Sequence, residues 1–144
     1  MARQDSPETV HATSVAMGGR AVLLFGPSGM GKSDLALRLI DRGAALISDD
    51  YTVLTPTDDG LEASAPATII GKMEVRGIGL VDMPSLARAP VALLVDLTQD
   101  IERMPLDPVH RAIVGVEVPV VRIAPFEASA PIKVELALKT LDLP

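Results

Sequence analysis

Ala21-Val22-Leu23-Leu24-Phe25-Gly26-Pro27-Ser28-Gly29-Met30-Gly31-Lys32-Ser33 is the stretch on which the reading of the fold turns. Its first five residues are all apolar, the pattern of a strand buried on both faces. The next eight satisfy G-x-x-x-x-G-K-[ST]. Beyond them Leu35, Ala36, Leu39 and Ile40 recur at helical spacing, while Asp34, Arg38, Asp41 and Arg42 are expected to face outward. Gly43 supplies the helix stop. Strand, glycine loop and amphipathic helix are the context that a phosphate loop requires.

The chemistry explains the pattern. Gly26, Gly29 and Gly31 let the backbone curl so that successive N–H groups point inward as an anion nest. Pro27, Ser28 and Met30 fill the intervening positions. The helix starting near Lys32 aims its positive dipole end at the same point. Lys32 is placed to reach the β- and γ-phosphates, and the Ser33 hydroxyl to bind Mg²⁺. ATP and Mg²⁺ are therefore the expected cofactors.

Working outward, Ala44 to Ile47 reads as a second buried strand that ends at Ser48-Asp49-Asp50. Two adjacent carboxylates beside a bound Mg²⁺ divide naturally into a metal ligand and a proton acceptor. A solvated Asp-Asp turn is the plain alternative. Val91-Ala92-Leu93-Leu94-Val95-Asp96 is a rival apolar strand ending in Asp, and pattern alone does not choose between them. Glu74 and Arg76 fall on one face of an extended segment, suited either to the metal and phosphates or to an exposed ion pair. His11, in a polar N-terminal segment, reads by itself as a surface histidine.

Tyr51 to Thr55 and Leu61 to Ala65, joined by Asp58-Asp59-Gly60, read as a hairpin. Ile78 to Val81, Val91 to Leu97 and Val118 to Ile123 read as further strands. Asp100 to Pro108 reads as a surface loop, and Lys133 to Leu141 as a closing helix. The expected architecture is one α/β domain over residues 1–144, a mixed sheet with added β-hairpins rather than a regular βαβ repeat.

Composition narrows the function. The chain has 144 residues and no cysteine, and 48% of it is hydrophobic. It contains no apolar run near the roughly 20 residues of a membrane span, and its start does not resemble a signal peptide. The expected location is cytoplasmic. A formal net charge of −6 and only three aromatic residues argue against a nucleic-acid partner. A nucleotide and a protein are the expected partners.

Taken together, His11, the Gly26 to Ser33 loop, Asp49-Asp50 and Glu74-Val75-Arg76-Gly77-Ile78-Gly79 resemble the catalytic domain of HPr kinase/phosphorylase. That bacterial family phosphorylates HPr of the phosphotransferase system on a serine. Its motifs are a preceding His, a G-x-S-G-x-G-K-S loop, an Asp-Asp pair and an E-[IV]-R-G-[IL]-G signature. The resemblance runs from about His11 to Val121.

It implies the P-loop fold shared with phosphoenolpyruvate carboxykinase and an ATP- and Mg²⁺-dependent serine kinase acting on an HPr-like phosphocarrier. Lys32 and the loop would hold ATP, while Ser33, Asp50 and Glu74 serve the metal. Asp49 would take the serine proton, with His11 and Arg103 as further catalytic residues and Arg76 and Gly77 completing the signature. Arg111 is the substitute for Arg103, and Asp96 becomes structural.

The resemblance is not complete. The family's N-terminal domain has no counterpart, so a short form is expected. The family's P-V-x-P-G-R-N loop is here Pro125-Phe126-Glu127-Ala128-Ser129-Ala130-Pro131, without its Arg, Gly and Asn. Phosphorylase activity is therefore not implied. The C-terminal helices of longer members have no match after Leu143, which leaves open both a homo-oligomer and the docking surface. The alternative functions are a nucleotide-binding regulatory module and, less favoured for want of an Arg-rich lid, a small-metabolite kinase.

Overall fold

The computed structural model describes residues 6–142. Part of the segment compared with signal peptides (Met1 to Asp5) and the chain end at Leu143 and Pro144 lie outside these residues.

Arg20–Phe25 forms strand β3, and Val22 and Leu24 point to one core while Ala21 and Leu23 point to another. All four are fully buried. This two-sided burial explains the unbroken apolar run. Arg88–Leu97 (β9) lies parallel to β3, and Val116–Ile123 (β11) lies parallel to β9 on its other side. Thr13–Met17 (β2) pairs antiparallel with β3 and also with Ala45–Ser48 (β4), so β4 runs in the direction of β3.

Thr52–Thr57 (β5) and Gly60–Ser64 (β6) form the expected hairpin, which joins the first residues of β9. Glu8–Val10 (β1) adds to β5, and Val109–Ile113 (β10) to β11. These nine strands make one mixed sheet. Lys72–Val75 (β7) and Gly79–Asp82 (β8) form a separate antiparallel pair. The loop around Arg103 carries no strand or helix, as read from its two prolines.

Lys32–Asp41 (α1) and Ala130–Thr140 (α2) cover one face of the sheet. Leu35, Ala36 and Leu39 of α1 are at most 1% exposed, each buried leucine contributing about 2 kcal/mol by removal from water. Gly43 ends α1 as expected, with φ of 110°. The N–H of Ala44 returns to the Leu39 carbonyl.

On the outward face of α1, Asp34, Asp41 and Arg42 are exposed as expected, while Arg38 is partly buried. Arg38 and Arg42 reach across to neighbouring segments, because long cationic side chains cover apolar surface while their heads find acceptors. The Arg42 guanidinium makes two hydrogen bonds to Glu135 of α2, at 2.7 and 3.0 Å. That bonding holds the Glu135 carboxyl below its ordinary range and raises the Arg42 guanidinium. A carboxyl lowered on folding stabilises the fold above its unfolded value of about 4.3 and loses that effect as pH falls through its folded value. Glu135→Gln should therefore lower the melting temperature slightly at pH 7. The gap to wild type should close as pH falls through the folded value of Glu135 and shrink in high salt, as thermal melts can check.

Candidate active site

The cleft opens where the parallel strands β3 and β4 end, the position at which open α/β sheets bind ligands. Phe25 of β3 passes directly into the glycine loop. Gly29 and Gly31 take φ of 82° and 85°, in the left-handed region that favours glycine. Among the described residues no side chain caps the first turn of α1, which leaves its leading N–H groups for a ligand. Lys32 is only 6% exposed. Its ammonium donates to the carbonyls of Gly26 at 2.7 Å and Pro27 at 3.3 Å, which curls it over the loop.

Strand β4 delivers Asp49 and Asp50. The Asp49 carboxylate is the hub of the site: Ser33 Oγ donates to it at 2.6 Å, Thr13 Oγ1 at 3.3 Å and the Glu74 N–H at 3.4 Å. Four segments (the start of α1, β2, the end of β4 and β7) thus meet at one carboxylate. Asp50 has φ of 70°, a left-handed conformation that Asp tolerates. Its N–H donates to Thr13 Oγ1 at 3.1 Å, and its carboxylate lies 2.8 Å from His11 Nε2. The His11 ring stacks on Tyr51 at 5.1 Å. One fully buried threonine therefore orients both acids.

The β7–β8 hairpin forms the facing wall. Met73 is buried in the helix-side core, so the alternation of the strand turns Glu74 outward into the cleft. Leu46 of β4 bonds to the backbone of Pro84 and Leu86, which fastens the segment after β8 to the sheet edge. Arg76 sits one residue past β7, in the turn before Gly77, whose φ is 88°. Among the described residues neither Glu74 nor Arg76 has an ion-pair partner. The cleft holds about 960 Å³, and its lining includes Lys32, Ser33, Asp49, Asp50, Glu74 and Arg76.

The structure thus gathers most of the residues singled out from sequence. Ser28, Gly29, Gly31 and Gly77 also line the cleft, while Gly26 and Pro27 face it through the Lys32 bonds. Met30 packs against the core. His11 reaches the site through Asp50. Arg103 is the exception: it lies on the exposed 98–108 loop and does not line the cleft. Arg111 sits within 3.6 Å of Asp96 and over the Phe25 ring, and Arg122 also lies 3.6 Å from Asp96. Asp96 is therefore occupied by two arginines rather than by the cleft. Thr13, which bonds Asp49, and Phe126, which lines the cleft, are site residues that the sequence reading missed.

The groups present fit a magnesium-bound polyphosphate. The loop amides and Lys32 suit the phosphates, and the cleft volume is in the range of small-molecule sites. Among the described residues no three His, Cys, Asp or Glu side chains form a ready metal cage. Mg²⁺ does not need one, since it takes one or two carboxylates and completes its shell with water and phosphate oxygens.

Comparison with known proteins places the chain in a family. The family model "HPr Serine kinase C-terminal domain" matches residues 3–136. The chain is 35% identical over 126 residues to the HPr kinase/phosphorylase of Clostridium tetani, covering 78% of this chain and 41% of that protein. It is 33% identical over 129 residues to that of Ralstonia nicotianae, covering 80% and 39%. The chain thus spans about two-fifths of these curated relatives. The solved Hpr(Ser) kinase/phosphatase of Coxiella burnetii superposes with a TM-score of 0.81 at 29% identity, covering 93% of this chain and 95% of that one. The α/β mixed-sheet fold is that of an HPr kinase structure, and the chain belongs to the HPr serine kinase C-terminal domain family.

Proposed function

We propose that the chain is a Mg²⁺- and ATP-dependent protein serine kinase whose substrate is an HPr-like phosphocarrier. The observation that carries this reading is the convergence on Asp49: the phosphate-loop serine, a buried threonine and the β7 backbone all bond one carboxylate at the cleft mouth. A site that only bound nucleotide would have no need of a base.

In this reading the loop amides and Lys32 bind and orient the triphosphate, and Lys32 offsets charge on the transferred group. Ser33, Asp50 and Glu74 would hold the Mg²⁺, which supplies charge neutralisation when bound. Asp49 accepts the proton of the attacking serine hydroxyl. Thr13 and Ser33 fix its direction, and His11 fixes Asp50. Arg76 neutralises phosphate charge from the facing wall. Arg103 would act by the 98–108 loop bringing it to the phosphates. Arg103→Ala is then expected to lower kcat about 100-fold while leaving MgATP affinity unchanged, measured by steady-state kinetics and calorimetry.

The 2.6 Å Ser33–Asp49 bond favours a second assignment of the pair. Asp49 would sit in the metal shell and Asp50, paired with His11, would take the proton. Metal titrations of Asp49→Asn and Asp50→Asn separate the two, since only loss of the metal-side acid raises the Mg²⁺ requirement. The reading as a whole is tested by incubating the protein with ATP, Mg²⁺ and HPr. Mass spectrometry should find one phosphate on an HPr serine, and unmodified HPr would count against it.

A further inference from the structure

Phe126 is a large apolar side chain that the fold leaves 59% exposed. It is not a stray surface residue, because it lines the same cleft as Gly31, Asp34 and Leu37. Its ring lies over the phosphate loop: a Cβ added at Gly31 would meet Phe126 Cε1 at 3.0 Å. The loop that carries it is fastened to α1. The Arg38 guanidinium donates to the Pro125 carbonyl and, at 3.1 Å, to that of Glu127, so the two neighbours of Phe126 are both held. Asp34 pairs with Arg38 at 3.0 Å, and Lys133 donates to Glu127 at 2.8 Å. The ring is therefore pre-positioned before any ligand arrives.

The cleft is chemically uneven. One part gathers Lys32, Ser33, Asp49, Asp50 and Glu74, which suit phosphates and a metal. Phe126 and Leu37 are apolar and flank the first turns of α1. A nucleotide whose terminal phosphate faces the carboxylates must leave its sugar and base elsewhere, and a flat apolar group finds its match on an exposed ring. We propose that Phe126 is the base-stacking, specificity-determining residue of this site, so that the cleft distinguishes a nucleoside triphosphate from a bare polyphosphate. The inference deepens the nucleotide reading above and rests on it.

The test is calorimetric binding of ATP and of inorganic tripolyphosphate, each with Mg²⁺, to the wild type, Phe126→Ala and Phe126→Trp. Stacking of a base on an aromatic side chain predicts that Phe126→Ala weakens ATP binding about tenfold. Tripolyphosphate affinity should stay within about twofold, which also shows that the variant folds, and Phe126→Trp should restore ATP binding. Unchanged ATP affinity in Phe126→Ala would overturn the proposal. Equal loss of both ligands would also overturn it, by showing that the ring only props the loop over Gly31. If the wild type binds tripolyphosphate and ATP equally well, the base contact fails and the phosphate site stands. If it binds neither, the nucleotide reading itself fails, and the inference falls with it.

Discussion

Lys32→Ala should lower kcat/KM for phosphoryl transfer by about 10⁴-fold. Two losses combine. A preorganised charge facing the transferred group is worth about 10³ in kcat. A charge-assisted bond to the bound phosphates is worth about a further tenfold in affinity. The fold should survive. Lys32 is 6% exposed and its ammonium bonds the carbonyls of Gly26 and Pro27, but the loop keeps its shape through its glycines and the Met30-to-Pro27 backbone bond. Steady-state kinetics with calorimetry of MgATP binding would measure both parts. Near-wild-type turnover would remove Lys32 from the mechanism.

Asp49→Asn should lower kcat about 10³-fold, within the range of a lost general base. The amide keeps the size of the carboxylate, and its one oxygen can still accept from Ser33 and Thr13, while the long contact from the Glu74 N–H loses its acceptor. What disappears is the basicity. MgATP affinity should therefore change much less than turnover, the reverse of a purely structural defect. ATP-dependent partner association that survives Asp49→Asn, with no detectable transfer by the wild type, would instead favour a regulatory binding module.

The centre of this site was legible because its chemistry is local in sequence. Glycine-loop geometry, the buried strand before it and the amphipathic helix after it all follow from residues 21–43, and the Asp pair follows from the next apolar strand. The supporting residues were not legible for the same reason. Thr13 acts on Asp49 and Asp50 across β2 and β4, a contact made only by sheet pairing.

Strand β2 itself carried a missed signal. Gly18-Gly19, with φ of 60° and 79°, is the turn that joins it to β3, and a Gly-Gly pair beside an apolar strand is a hairpin mark. Strand β10 is exposed along most of its length and shows no apolar alternation. Its one clue is the Val114-Gly115 turn, both residues at positive φ. Arg38 was read as facing solvent because periodicity reports a side chain's root and not where a long one ends.

Phosphoryl transfer at this site requires a triphosphate tail seated between Lys32 and the carboxylates. A crystal structure with Mg²⁺ and a non-hydrolysable ATP analogue tests this most directly. The terminal phosphate should contact Lys32 Nζ, with Ser33 on the metal, Asp49 and Glu74 flanking it and the base against Phe126. A nucleotide bound outside the cleft, or phosphates seated in the loop with Asp49 and Glu74 both remote from them, would contradict the account.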